Sequence, residues 1–345
     1  MSARRAQVVG TGLIGGSIGL ALRAKGWHVT GSDPARAERA LELGALDATG
    51  DDDAAELTFV ATPVGRVAEV ARGRAGVVTD VGSVKSSIVA AVDSPAFVGG
   101  HPMAGSEQEG IDGSRADLFE GAVWVLTPVS STAPAAHALV RSVVTSFGAD
   151  VVELAPERHD GLVAVVSHVP HLTAASLMRI ATERSEEHAA LLRLAAGGFR
   201  DMTRIAAGHP GIWPDICIEN RDAITEVLDL LIGELTEMRH RVETRDRDAL
   251  LASLTEARAA RLNLPARVTP GDVHEVRVPV PDRPGVLADI TTLASELGVN
   301  IHDIEIAQSS EGAGVLLLLV DTQHAERYLG GLAARGYKAT ARALE

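Results

Sequence analysis

Gln7-Val8-Val9-Gly10-Thr11-Gly12-Leu13-Ile14-Gly15 joins a short apolar run to three spaced glycines and to a helix-like stretch that continues to Lys25. The order strand, turn, helix gives the glycines distinct jobs. Gly10 permits the tight turn, Gly12 lets a pyrophosphate approach the backbone, and Gly15 allows the helix to lie close to the strand. The amides of the helix start, around Leu13 and Ile14, then face the phosphates. A second strand, His28–Ser32, ends at Asp33, eighteen residues beyond Gly15, where a carboxylate accepts from adenosine ribose hydroxyls and so favours NAD over NADP. Asp33 also reads as a cap for a helix beginning at Pro34, and one side chain can do both.

The same grammar continues downstream. Leu57–Ala61 is a strand ending in Thr62-Pro63-Val64, which puts Thr62 on the cofactor side, and Val77–Val81 is a strand ending in Gly82-Ser83-Val84-Lys85. Ala96–Gly99 follows, then Ala122–Leu126 and Val151–Leu154 around the helical stretch Pro134–Phe147. Strands alternating with helices predict a mostly parallel, doubly wound sheet. Its ligands lie at the C-terminal ends of the strands. Gly99-Gly-His101-Pro-Met-Ala-Gly-Ser-Glu-Gln-Glu-Gly110 reads as a loop at such an end, stiffened by Pro102. Free imidazole titrates near ~6.5, so His101 can accept a proton at neutral pH. The plainer reading is a loop histidine bonded to backbone. Ser83 follows a neighbouring strand end and can converge with His101; it reads equally as a helix N-cap. Lys85 reads as a first-turn surface or phosphate-side residue with no chemistry.

Composition narrows the class. The chain has 345 residues, enough for two or three cores, and 46% hydrophobic residues, which argues against general disorder. Its net charge of −14 argues against nucleic acid or an anionic membrane as partner, and means that an anionic substrate needs local cations. One cysteine, Cys217, leaves no intrachain disulfide and no multi-cysteine metal cluster; it reads as a small core residue. The longest aliphatic run, Val315–Val320, is far too short to span a bilayer, so a cytoplasmic location is expected.

From about Glu157 the period changes. Leu162, Val165, Val166, Val169, Leu172, Ala175, Leu177 and Ile180 follow helical spacing, with Pro170 expected to kink the helix. His168 and His171 flank that proline on one face. With His159 they suggest a metal only weakly, because no carboxylate stands at fixed spacing; lining a cleft is the better reading. Arg200 and Arg204 follow a Gly197-Gly198 break, and a guanidinium fork suits a carboxylate substrate; surface pairing with Asp201 or Glu219 is the alternative. A long helix follows, with an apolar stripe from Ile224 to Met238 that reads as core or a dimer seam, and Trp213 reads as core or cleft wall. Asn263–Gly271 is a linker. Beyond it the pattern is β-α-β-β-α-β, a ferredoxin-like module without an acid–base constellation. The expected domains are 1–154, 155–264 and 273–345.

Taken together, Gly10–Gly15, Asp80-Val-Gly-Ser83-Val-Lys85, Gly100-His101-Pro-Met-Ala-Gly-Ser-Glu107, Ser167-His168-Val-Pro-His171, Asp201-Met-Thr-Arg204-Ile-Ala and Pro281-Asp-Arg-Pro-Gly285 resemble the prephenate/arogenate dehydrogenase family of tyrosine biosynthesis with a C-terminal ACT domain. The resemblance implies a Rossmann-type sheet, an all-α dimerisation domain and a ferredoxin-like ACT domain in a homodimer. It implies NAD-dependent oxidative decarboxylation of prephenate to 4-hydroxyphenylpyruvate, with arogenate as the alternative substrate, and no metal. His101 and Ser83 would contact the ring hydroxyl, Arg204 a substrate carboxylate, and His171 the substrate or the helix holding it. Glu107 would gate the pocket. The resemblance also implies an effector, L-tyrosine, at Gly285, Val286, Leu287 and Asn300, where a helix N-terminus and an amide suit an amino acid and would meet across a subunit interface. Two competitors stay open. A β-hydroxyacid dehydrogenase places a lysine base on its second domain, and residues 150–337 hold no lysine. A non-catalytic sensor of NAD and an amino acid would need no convergence of His101, Ser83 and Arg204.

Overall fold

The computed structural model describes residues 3–105, 108, 110–187, 191–263, 273–281, 283–308 and 313–343. Two compact units are formed, Met1–Leu192 with Met202–Glu234, and Arg193–Asp201 with Leu235–Glu345.

The first unit is built on a sheet whose central strands are buried at successive positions, residues 6–9 and 57–60 throughout, because both faces of a parallel sheet are covered. Its elements are β1 (Arg5–Val9), α1 (Leu13–Ala24), β2 (His28–Ser32), α2 (Ala37–Glu42), β3 (Ala48–Thr49), β4 (Leu57–Val60), α3 (Val64–Ala71), β5 (Val77–Asp80), α4 (Ser86–Val92), β6 (Phe97–Pro102), β7 (Val123–Thr127), α5 (Pro134–Ser146) and β8 (Asp150–Glu153). The strand order is β3-β2-β1-β4-β5-β6-β7-β8. Pairing is parallel from β3 to β6, and β7 returns antiparallel against β6. Phe59, Phe119, Trp124 and Phe147 pack together at the centre of the core, with ring centroids 5.0–6.4 Å apart.

His101 lies inside β6 and not in the loop expected from the sequence. The antiparallel return of β7 extends the pairing, with His101 opposite Val125 and Pro102 opposite Trp124. A tight local sequence, Gly-Gly-His-Pro, looks like a turn until its partner strand is known.

After β8 come α6 (Pro156–Val163), a π turn (Ala164–His168) and α7 (Val169–Glu187). Pro170 lacks an amide proton and crowds the carbonyl four residues earlier, Val166. The kink expected there takes the form of a widened turn covering that carbonyl, a device common at functional sites. The run Pro156–Arg184 is long and apolar enough by length and composition to cross a membrane, which the sequence reading overlooked. Its buried positions include His159, Asp160, His168 and His171, polar groups that lipid could not satisfy. The unit continues with α8 (Gly197–Thr203, whose last two residues belong to it), the 3₁₀ turn Arg204–Ala207, α9 (Trp213–Glu219) and the first part of α10 (Arg221–Glu243). Ala164, Val169 and Ile224 form a small core there, flanked by Leu172, Cys217 and Leu228.

The second unit holds the rest of α10, α11 (Arg247–Leu262) and a module of β9 (Val273–Pro281), α12 (Val286–Glu296), β10 (Ile301–Gln308), β11 (Ala313–Asp321), α13 (Thr322–Ala334) and β12 (Thr340–Ala343). Its antiparallel sheet runs β10-β11-β9-β12, the ferredoxin-like order expected. Val276, Val278 and Val280 alternate inward from β9 against Ile290, Leu293 and Tyr328 of the two helices.

Lys85 departs most from its sequence reading. It is fully buried, its ammonium paired with Asp80 and donating to the Gly100 carbonyl at 2.8 Å. Asp80 also accepts from the amides of Gly82 (2.8 Å) and Gly100 (3.0 Å). The pair therefore ties the end of β5 to the strand carrying His101. Its long stem runs under Gly99, which hides the charge in a way the local sequence does not reveal. Burial draws the Lys85 ammonium below its usual range, and Asp80 opposes this. Lys85→Met should cost about 3–5 kcal/mol of stability, because the Asp80 carboxylate would stay buried without its cation. Adding Asp80→Asn should recover part of that loss. Urea denaturation of both variants checks this, and an unchanged midpoint in Lys85→Met would refute it.

Candidate active site

The first turn is crowded at two glycines and open at the third. Gly10 has φ +91°, and a Cβ there would lie 2.5 Å from the Ala61 carbonyl oxygen. A Cβ on Gly15 would lie 1.9 Å from the Gly10 oxygen, whereas one on Gly12 would meet nothing within 4 Å. Backbone is thus exposed at the one position where a pyrophosphate must come close. No side chain caps α1, so its first amides remain available. The hydroxyls of Thr11 and Thr62 are buried without a partner among the described residues, a cost that a polar ligand would relieve. Asp33 accepts from the amides of Thr11, Ala35 and Arg36, each at 2.9 Å. It braces both turns, and α2 starts at Ala37, later than expected. These groups fit a dinucleotide.

Thr62, Ser83 and His101 all belong to the C-terminal edge of the same sheet, through β4, β5 and β6. Beside them lies a cavity of about 320 Å³ lined by Ser83, His101, Met103, Ser167, His168 and Trp213 among others. The expected convergence of Ser83 with His101 is present. Ser83 does not cap α4. That role falls to the Asp160 carboxylate, which accepts from the amides of Lys85 and Ser86 at 2.8 Å each. The Ser83 hydroxyl is left for the cavity.

Behind His101 stands a chain of polar groups that the sequence reading missed. His101 Nδ1 is 2.8 Å from His159 Nε2, and His159 Nδ1 is 2.8 Å from Asp160 Oδ1. His159 is fully buried and Asp160 nearly so. Burial opposes ionisation of Asp160, but its bonds from His159, Ser86 and Lys85 outweigh this and hold it below the usual carboxylate range. His101 is held well below the ordinary imidazole value by burial and then by His159, Lys85 and His168, with Asp160 in opposition. Only the adjacency of His159 and Asp160 in one helix hinted at this; their partner lies 58 residues away.

The other histidines are engaged separately. His168 Nδ1 is 3.1 Å from the Asn220 amide nitrogen, which also donates to the Asp160 carbonyl at 3.0 Å. Burial pushes His168 down to about 4. His171 stacks on Trp213 with centroids 3.6 Å apart and planes 11° from parallel, and burial lowers its pKa as well. Trp213 is therefore cleft wall. No group of three histidine, cysteine or acidic side chains placed to hold a metal forms among the described residues.

Arg204 begins the 3₁₀ turn beside α7 and is exposed, without an ion pair among the described residues. It is not part of the cavity lining. Glu107 lies outside the described residues. The proposed effector groups are not brought together within one chain. Gly285 precedes α12 at the Pro281–Ala313 end of the sheet, while Asn300 precedes β10 at the Val273–Asp321 end.

Comparison with known proteins agrees with this arrangement. The nucleotide-binding domain of prephenate dehydrogenase matches residues 18–153, its dimerization domain residues 155–256, and the ACT domain residues 274–334. Prephenate dehydrogenase of Bacillus subtilis is 36% identical over 334 residues, covering 90% of each chain. Cyclohexadienyl dehydrogenase of Zymomonas mobilis is 34% identical, covering 74% of this chain and 94% of the relative. The crystal structure of A. aeolicus prephenate dehydrogenase with hydroxyphenyl propionate and NAD+ has a TM-score of 0.71 at 31% identity, covering 76% of this chain and 98% of that one. Synechocystis arogenate dehydrogenase scores 0.65 at 29% identity, covering 74% and 98%. On the extent of these matches, the chain belongs to the prephenate dehydrogenase family.

Proposed function

We propose that this chain catalyses NAD-dependent oxidative decarboxylation of prephenate to 4-hydroxyphenylpyruvate, a step of tyrosine biosynthesis. The observation that carries this reading is the convergence of His101 and Ser83 on a cavity at the strand edge that also bears the nucleotide turn. Bound at Gly10–Gly15, Asp33 and Thr62, NAD+ supplies the hydride acceptor.

The substrate is a cyclohexadienol with a quaternary carboxylate para to a secondary hydroxyl. His101 takes the hydroxyl proton as the carbinol carbon is oxidised, and Ser83 holds the oxygen in line. The carboxylate leaves as CO₂, its electrons restore the aromatic ring, and the proton returns to what has become the phenol oxygen. No proton is consumed overall. Arg204 supplies the local cation that an acidic protein must provide for an anionic substrate, and His171 on Trp213 stiffens the wall. None of the described lining residues is acidic, which supports the keto side chain of prephenate over the ammonium of arogenate. The similarity to an arogenate dehydrogenase keeps the second substrate as the competing reading. Parallel assays of NADH formation with each substrate decide between them.

His101→Asn should lower kcat by ~10²–10⁴-fold with little change in substrate KM. Arg204→Gln should instead raise substrate KM and leave dinucleotide affinity intact. Because the base works as neutral imidazole and its pKa is held low, kcat/KM should stay flat as pH falls through ~6.5 and drop only below it. Steady-state kinetics across pH check all three, and near-normal turnover by His101→Asn would return that residue to a structural role.

The helical segment supports assembly as a homodimer. Leu162, Val165, Val166, Ile180, Leu230 and Ile232 are each 46–66% exposed, a larger apolar surface than a monomer keeps. Leu230→Arg should shift the chain toward monomer in sedimentation velocity; an unchanged mass would place the seam elsewhere.

The ACT module supports an amino-acid effector, L-tyrosine, held by Gly285, Val286 and Leu287 of one protomer and Asn300 of its partner. Gly285 has φ +89°, so Gly285→Val should distort the turn and weaken inhibition in a tyrosine titration while basal turnover persists. Equal inhibition of both proteins would place tyrosine in the catalytic cleft. The single free thiol suits a reducing compartment, and the acidic net charge suits a small-molecule enzyme without nucleic-acid or membrane partners. Both support a cytoplasmic location.

A further inference from the structure

Hydrogen-bond direction fixes more about the base than its position does. Asp160 is ionised and accepts only, so the proton of His159 must sit on Nδ1, which faces it at 2.8 Å. That leaves a lone pair on His159 Nε2. The contact at 2.8 Å between this atom and His101 Nδ1 then requires the proton to be on His101 Nδ1. His101 Nε2 is consequently the basic atom. Nothing in the sequence around His101 specifies this tautomer; a histidine 58 residues away does.

We propose that His101 and His159 act as one base, with Asp160 as its anchor: the substrate hydroxyl proton enters at His101 Nε2 while the His101 Nδ1 proton passes to His159 Nε2. One O–H and one N–H bond break and two N–H bonds form, and the sequence reverses when the phenol oxygen takes its proton back. His101 touches the reacting oxygen; His159 and Asp160 are positioning residues that act through it.

The surroundings favour this division of labour. The groups facing His101 are Lys85 at the start of α4, itself held by Asp80 of β5, His168 of the π turn, and His159 and Asp160 of α6. A cation confined to His101 would be buried beside the Lys85 ammonium. Moved to His159, the same charge lies against a carboxylate. That carboxylate cannot swing away, because the Lys85 and Ser86 amides grip one oxygen each. The inference rests on the reading of His101 as the base for a ring hydroxyl, and the test separates the two.

Long-range ¹H–¹⁵N spectra of the unliganded full chain, labelled at histidine, read the tautomers without substrate or cofactor. Protons on Nδ1 of both His101 and His159 are expected; a proton on His101 Nε2 at neutral pH would overturn the proposal. His159→Gln supplies the kinetic readout. Its side-chain carbonyl can still accept from His101 Nδ1 and hold the ring, but it cannot take a proton. Substrate KM should remain within about twofold while kcat falls by ~10–100-fold, a part of the usual general-base contribution. The acid limb of kcat/KM should leave its parental position, since protons then enter His101 alone and no longer the pair. His159→Leu should be slower still, its His101 proton left unpaired. Parental kcat and pH profile in His159→Gln would reduce His159 to scaffold. Failure of the unmodified enzyme to turn over either cyclohexadienol would remove the substrate reading, and the spectra would decide the shared base on their own.

Discussion

A carboxylate taken out of water must collect donors, and Asp160 collects them from two directions. The amides of Lys85 and Ser86 at the start of α4 take one oxygen each, and His159 from its own helix takes a second bond to Oδ1. The Asp160 carbonyl is claimed in turn by Asn220. Satisfying this one residue therefore docks α6 on the sheet, starts α4, fixes the His159 ring and holds α10 nearby. Leaving any donor out would strand a buried charge, so these elements hold their places together or not at all. The candidate site is accurate because an unavoidable electrostatic debt is settled there.

Beneath it, Asp80 and Lys85 do the same for the strand that carries His101. The two buried pairs meet at Lys85, whose amide serves Asp160 and whose ammonium serves Asp80. A protein of net charge −14 thus keeps a cation under its base. The cation makes protonation of His101 alone unfavourable, and the carboxylate on the far side makes a shared proton tolerable. The geometry sets up a base that is neutral at rest without being inert.

Features of short range were legible in the sequence. The strand–glycine–helix start, the alternation of β4 to β6 with helices, and the β-α-β-β-α-β module follow from local periods and turn chemistry. Ser83 and His101 could be paired because strand ends of one sheet share an edge. What escaped was long-range or sign-ambiguous. Lys85 looked like a surface residue because its partner Asp80 was read only as the end of a strand. His101 looked like a loop residue because β7, which pairs with it, lies more than twenty positions on. Asp160 carried no periodic signal, and Ser83 lost its cap role to a side chain 77 positions downstream. The turn at Gly285 and the amide at Asn300 were legible as polar ends, and the sheet register puts them at opposite ends of one module, compatible with the expected meeting across two protomers.

The π turn at Ala164–His168 has a consequence for how this helix could arise and vary. A widened turn is one residue more than an α-helix needs, and each residue advances a helix by about 100°. The extra position therefore acts as a phase setter: the residues before it keep the face that carries His159 and Asp160, and those after it are rotated to put His171 on Trp213. Excising a single residue from Ala164–Ser167 would restore regular winding with the downstream faces nearly kept, whereas rewinding the same residues as plain α-helix would turn the whole downstream helix by that angle. Rewound in that way, the chain would lose its stacked wall with every side chain of that wall still present. The winding between His159 and His171 is thus as much a determinant of the site as the identity of either histidine.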